Sequence, residues 1–426
     1  MALTTGKIAE VLLEKSVETF ETQLDMLPLV TFDKPDAGTL QNSSNVIWKP
    51  VQQHAPIIDG WDISNLETGI IEETYPAVLG TPSNDFVKMR ADDLRTMVFW
   101  ERRGEQSGRR QASNLNSAIA TAMVNQGSMF YRSNVTSGYD FIAEAQAIMN
   151  ERQGIDMGRY FMLNDRDLLL FSKDLAARQT LQGQPSKTWA TGQIGANIAG
   201  FDVYTGSFLP NLDGGADPAT AVNGDHTFSP EAGSVNATTL VVTNVDYREA
   251  SIVVDDSSSY TVGDKIVFKN DGTAVQSIGL DDKTATGQSM TFTIIEVTDA
   301  THIKIYPKPI AADDTTNLNT LELAYANINT TIDDDATVNR INTDTSKKAN
   351  LFWDKSSVEV MGGEVPASLF KDYDGMKVVS TTMKNGQPMY IVYDGKIDDM
   401  TFRYRLFTWY GITIANPSLC GVAVTY

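Results

Sequence analysis

Between Asn211 and Thr345 the chain changes character, and that change limits what the whole can fold into. This stretch holds 21 Asp plus Glu against 7 Lys plus Arg, so it carries about 14 of the 20 net negative charges of the 426-residue chain. It is rich in Thr, Val, Asp and Gly. Its apolar runs are short: Thr239 to Thr243, Ser251 to Val254, Lys265 to Phe268, Met290 to Ile295 and His302 to Tyr306. Turn signals such as Asn270-Asp271-Gly272 separate them, the pattern of antiparallel hairpins. Strands of this length and spacing predict a small barrel or sandwich. Helical sequence precedes the segment and mixed sequence follows it, so the β-rich part reads as an insertion in an α+β host.

The host is legible in pieces. Lys7 to Met26 has helical periodicity, with Ile8, Leu12, Leu13, Val17, Phe20 and Leu24 forming an apolar stripe. Glu10, Glu14, Glu18, Glu21 and Asp25 line another face at a spacing where like charges repel. That face is either a solvated surface or an arm that meets a basic partner. Two extended runs follow, Asn45 to Val51 and Ile70 to Val78, each interrupted by a proline that favours edge or bulged strands. They predict a long hairpin whose tip holds Gly60-Trp61-Asp62. A two-stranded ribbon is marginal alone, which places it on a neighbouring subunit. Arg90 to about Asn125 reads as mainly helical, with a bend or break expected at Gly104 and Gly108. Tyr139 to Arg152 predicts a second amphipathic helix, and Lys377 to Val392 a hairpin around Asn385-Gly386.

The function classes narrow from composition and from motifs. A net charge of −20 disfavours nucleic-acid binding over the surface as a whole and repels an anionic membrane. A single cysteine, Cys420, rules out an intrachain disulfide and fits a reducing site of assembly. No apolar run approaches the roughly 20 residues that span a bilayer, and the first residues lack the features of a signal peptide. His54, His226 and His302 are far apart, without metal-ligand or triad spacing. Cys420 has no proposed base and reads as a small buried hydrophobe. Asp333-Asp334-Asp335 lacks the pattern of a calcium loop and reads as a helix start or solvated turn. Phosphate- and dinucleotide-binding motifs are absent. The expectation is a protein without catalytic site, cofactor or metal.

An ordered series of blocks is more specific than composition. It runs Ser43-Ser44-Asn45-Val46-Ile47-Trp48-Lys49-Pro50-Val51, Gly60-Trp61-Asp62, Asn84-Asp85-Phe86, Arg90-Ala91-Asp92-Asp93-Leu94-Arg95, Ile148-Met149, Asp156-Met157-Gly158 and Ala199-Gly200-Phe201. It continues through Gly263-Asp264-Lys265-Ile266, Lys308-Pro309 and Ala324-Tyr325-Ala326-Asn327 to Trp409-Tyr410-Gly411. The series resembles the major capsid (coat) proteins of the Salmonella phage P-twenty-two type, those of Lederbergvirus-like short-tailed phages, over nearly the whole chain.

The resemblance implies an α+β, Hong-Kong-ninety-seven-type capsid fold with an inserted antiparallel β-barrel. The parts implied are an N-terminal arm (1–38), an E-loop region (39–88), a peripheral domain (89–140 and 395–426), an axial domain (141–222 and 346–394) and the inserted domain (223–345). It further implies self-assembly into pentamers and hexamers of an icosahedral head, with a scaffolding protein, a portal protein at one vertex, and double-stranded DNA enclosed without sequence-specific binding. Three surfaces are expected to act. Glu14, Glu18, Glu21 and Asp25 face the scaffold, Asp246, Arg248 and Glu249 reach a neighbouring capsomer, and Trp61 and Asp62 contact another subunit. The competing readings are a head-decoration or tail-associated β-rich binding protein, and a glycan-active enzyme using paired carboxylates of the acidic segment.

Overall fold

The computed structural model describes residues 5–57, 61, 73–90, 96–133, 138–152, 158–169, 171, 195–231, 234–235, 242–243, 246–343, 346–365, 376–396, 398 and 400–425. They form two compact units, each assembled from separated stretches of chain.

The first unit comprises Met1–Ile47, Pro76–Ile119 and Glu359–Thr413. Its main sheet has four antiparallel strands, ordered Lys377–Thr382, Pro388–Lys396, Thr401–Thr408, Ser83–Arg90. The predicted hairpin at Asn385-Gly386 is present, with Gly386 at φ 90° and Thr382 opposite Pro388. Helix α1 (Thr5–Thr22) lies against these strands and buries Ile8, Leu12, Leu13 and Phe20. Its apolar stripe is therefore satisfied within its own chain.

The expected helix start is corrected at Arg90, and residues 91–95 of that expectation lie outside the described residues. Ser83–Arg90 is a strand, held in register from Ser83↔Thr408 to Arg90↔Thr401. After the short α2 (Ala37–Asn42), the long helix α3 starts at Met97 and runs to Gln126 as one continuous helix of 30 residues. The expected break at Gly104 and Gly108 does not occur. These glycines serve close approach instead. A Cβ on Gly108 would sit 2.3 Å from the Ser16 carbonyl oxygen, and one on Gly104 would sit 3.0 Å from the Leu12 carbonyl. Ser16 Oγ donates to the Gly104 carbonyl at 2.9 Å, tying α1 to α3 at the same place.

The second unit comprises Trp48–Tyr75, Ala120–Val358 and Ile414–Tyr426. Its six-stranded mixed sheet is ordered Met129–Ser133, Cys420–Thr425, Asn350–Asp354, Arg159–Leu163, Phe201–Thr205, Gly195–Ile198. Helix α4 (Gly138–Glu151) covers it, and Phe141, Ile142, Ala145 and Met149 pack with Met129, Phe161, Phe201 and Phe352.

The acidic segment builds its own sheet in this unit. The order is Thr220–Ala221, Thr337–Arg340, Lys265–Asn270, Phe292–Val297, His302–Tyr306, Ala250–Val253. An antiparallel bridge between Val222 and Val254 joins the last strand back to the first. Ile252, Ile266, Phe268, Phe292, Ile294, Ile303, Ile305 and Val338 fill the interior at full burial. The Asn270-Asp271-Gly272 turn has φ 47° at Asp271 and 80° at Gly272, the two positive values that a two-residue hairpin demands. Of the expected strand Thr239 to Thr243, only Val242–Thr243 falls among the described residues, and it is extended.

Val46–Pro50 and Thr74–Val78 pair with each other as a two-stranded sheet. Most of the predicted tip, including Gly60 and Asp62, lies outside the described residues.

Replacing Gly108 by alanine separates two effects of opposite sign. Helix propensity alone would stabilise α3 by about 1 kcal/mol. The overlap with Ser16 instead predicts a net loss of about 1–3 kcal/mol, read as a lower urea midpoint for G108A; a gain in stability would refute the close-approach role.

Candidate assembly surfaces and the buried polar seam

The acidic stripe of α1 is only partly free. Glu10, Glu14, Glu18 and Asp25 are exposed, but Glu18 pairs with Lys15 at 2.7 Å. Glu21 accepts from the Lys384 backbone N–H at 2.8 Å, and the Lys384 ammonium lies 3.4 Å from its other oxygen. The expectation of an uncompensated stripe is corrected for these two residues: each already has a cation within its own chain.

The expected inter-capsomer residue Arg248 is placed differently from a rim charge. It is 5% exposed. Its Nε and Nη2 donate to the two carboxylate oxygens of Asp246 at 2.8 and 2.7 Å, a bidentate pair. Nη1 donates to the Ile414 carbonyl. The guanidinium lies over the rings of Tyr75 and Tyr306, at 4.9 and 5.5 Å. Every face of the group is used internally, so Arg248 holds the base of the two-stranded ribbon at Tyr75 rather than reaching outward. Thr74 also bridges to Asp246, which reinforces that anchor. Glu249 is half-exposed and sits 3.9 Å from Lys304. The Trp61 ring is fully exposed.

Beside this anchor, Glu73 is 2% exposed. Burial pushes its carboxyl up to about 8, opposed by the nearby Lys308 ammonium and the Glu231 backbone N–H.

A second polar centre went unnoticed in the sequence. Lys265 has no exposed surface, and its Nζ donates to the carbonyls of Val124 (2.8 Å) and Gly127 (2.6 Å) and to Thr293 Oγ1 (2.9 Å). Thr293 Oγ1 itself donates to Gly127 O at 2.6 Å. These carbonyls lie at the C-terminal end of α3, where unpaired acceptors and the helix dipole favour a cation. Burial pushes the Lys265 amine down to about 7. Next to it, the fully buried Cys420 thiol is pushed up to about 12, far from a thiolate nucleophile.

The seam continues through Arg152. It donates to Ser128 Oγ at 3.2 Å and Thr291 Oγ1 at 2.8 Å, while Thr291 Oγ1 donates to Ser128 O at 2.7 Å. On the other side of Lys265, Asp264 accepts from Arg340 at 2.7 Å and from Asn342 at 3.0 Å. Hydrogen-bonded polar groups thus join the acidic strands to α3 and the mixed sheet. A lysine opening an apolar strand, just after Gly263 at φ 97°, was the available signal. Nothing in its spacing pointed to residues 124–127.

The three histidines are structural. His54 meets the Tyr325 ring edge-on at 5.2 Å, and burial pushes its pKa down to about 4. His226 accepts from Val253 N–H at 3.2 Å, and His302 pairs with Asp299 at 2.8 Å. Asp334 accepts from Gly224 N–H in a turn. Among the described residues no group of three or more His, Cys, Asp or Glu is placed to hold a metal, and no helix is long and apolar enough to cross a membrane.

Comparison with known proteins adds what geometry alone does not supply. Similar solved structures include the capsid of the Cyanophage P-SCSP1u, at 9% identity over 93% of this chain and 86% of that chain, with a TM-score of 0.44. The bacteriophage PhiM1 mature capsid is similar at 8% identity over 94% and 86%, with a TM-score of 0.43. By sequence, residues 1–425 match the family described as P22 coat protein, gene protein 5. The class is therefore a phage coat protein, a structural subunit, here with an α+β fold. The chain belongs to the P22 coat protein family. It is a major capsid protein that self-assembles into the shell of the phage head, around the phage DNA.

Two variants test the buried centres. R248A strands the Asp246 carboxylate and is expected to cost about 3–5 kcal/mol, seen in denaturant unfolding of the unassembled subunit; an unchanged midpoint would return Arg248 to an outward role. For Lys265, the folded chain releases its proton near pH 7 while the unfolded chain holds it to about 10.5. The unfolded state binds more protons in that window, so this group makes stability rise with pH. From pH 7 to 9 the wild type is expected to gain more stability than K265M, and equal slopes would contradict the assignment.

Proposed function

We propose that this coat protein works as pentamers and hexamers closed around a scaffolding protein, with a portal protein at one vertex, and acts purely structurally. The observation that carries this reading is the family match across residues 1–425. The division into arm, E-loop, peripheral, axial and inserted parts is proposed with it. The ring of strands from Thr220 to Arg340, with its own core, supports the inserted part. The exposed Trp61 ring supports a ribbon whose far end seeks a neighbour.

On α1 the apolar face is already occupied, so the scaffold-facing role narrows to its free carboxylates Glu10 and Glu14, with the Lys15-paired Glu18 beside them and Asp25 past the helix end at Thr22. A charge-based contact of this kind steers association and weakens in salt. Glu249 is the residue of the 246–249 group still available to an adjoining capsomer.

Electron microscopy of the chain co-expressed with its scaffold is the direct test. Closed shells of uniform size are expected, while isolated subunits or spikes on a pre-existing surface would overturn the reading. E10K/E14K is expected to lower shell yield severalfold and to flatten its salt dependence, with the unassembled subunit's unfolding midpoint unchanged.

A further inference from the structure

The first unit carries a groove of about 930 Å³ between the Ser83–Arg90 edge strand and α3. Every residue lining it is polar. Arg103, Arg109 and Arg110 supply the charge, and Asp85, the one acid lining it, is paired with Arg103. Arg109 and Arg110 are exposed and make no ion pair with a described residue. In a chain of net charge −20, that leaves two adjacent guanidinium groups without an ion-pair partner among the described residues.

The groove wall holds a second, independent sign of a missing partner. Ser107 is 4% exposed, yet its hydroxyl, a donor a phosphate oxygen could accept from, has no hydrogen-bond partner among the described residues. A buried polar atom left unpaired is costly, and Ser107 lines the groove beside the arginines.

From this juxtaposition we infer that the groove binds the phosphodiester backbone of the enclosed double-stranded DNA, without reading its sequence. Arginine, serine, asparagine and glutamine are the side chains that contact phosphate and sugar. A protein partner would call for aromatic or aliphatic anchors at the centre of the contact, and this lining offers none. The negative remainder of the subunit keeps the interaction local and weak, compatible with DNA that must move as the head fills. The inference rests on the coat-protein role but goes beyond it.

The experiment titrates a fluorescent 20-base-pair duplex with the full-length, unassembled protein over a series of salt concentrations. Weak binding that falls with salt is expected. R109Q/R110Q should lose at least tenfold in affinity at low salt, and its log–log salt slope should be shallower by about 2, since each neutralised phosphate contributes about 0.9. Equal affinity and slope in the two proteins would overturn the proposal. So would a wild type that ignores DNA but binds polyglutamate through the same arginines, which would assign the groove to an acidic protein segment.

Should the variant fail to fold, protection of Arg109 and Arg110 by DNA against arginine-specific modification, read by mass spectrometry on the wild type, decides the matter, and absent protection rejects it. Shell formation is scored on the same preparations. A wild type that closes shells yet contacts no DNA sinks the groove assignment and leaves the coat-protein role intact.

Discussion

A buried ammonium on the last carbonyls of a long helix is the contact on which the second unit depends. Helix α3 ends at Gln126, and the carbonyls of Val124 and Gly127 have no further turn to accept from. Lys265, carried on a strand of the acidic sheet, supplies the donor at 2.6–2.8 Å. Hydrogen bonds to a charged group are worth about 1.5–3 kcal/mol each, but the desolvation of an amine with no exposed surface opposes them. The result is an attachment that is specific in direction and modest in net strength. Thr293, Thr291, Arg152 and Ser128 extend it with bonds that only one docking of the strands satisfies.

The same logic governs the ribbon. Two strands with few partners gain little from their own hydrogen bonds. Their base is instead fixed by Arg248, which clamps Asp246, caps Ile414 and lies over Tyr75 and Tyr306. In the first unit, steric fit takes the place of charge: α1 sits so close to α3 that Gly108 admits no side chain and Gly104 leaves only a tight fit for one. Glu21 then finds Lys384 on the turn of the neighbouring hairpin.

Local pattern told the truth wherever one element sufficed to decide. The strands at Ser251, Lys265, Met290 and His302, the turns at Asn270-Asp271-Gly272 and Asn385-Gly386, and the apolar stripes of α1 and α4 were all readable, because periodicity and positive-φ turn residues act over a few positions. The ordered blocks carried the family. Two glycines in α3 misled, since a helix break and a close approach leave the same mark in a sequence. Arg248 and Glu21 misled for a related reason: a charged residue in an acidic neighbourhood looks available until its partner, 166 or 363 residues away, is seen.

What the sequence determined by itself was the inventory: an acidic β-rich segment set within an α+β host, an amphipathic leading helix, a ribbon that could not stand alone, and the lineage. Only the tertiary structure decided which charges are spent internally and which remain on the surface. The reason is that burial and pairing are properties of positions brought together by folding. Lys265, Arg248 and Arg109 are alike as cations on a string. One is sealed under a helix end, one is clamped at the root of a ribbon, and one is left facing an open polar groove.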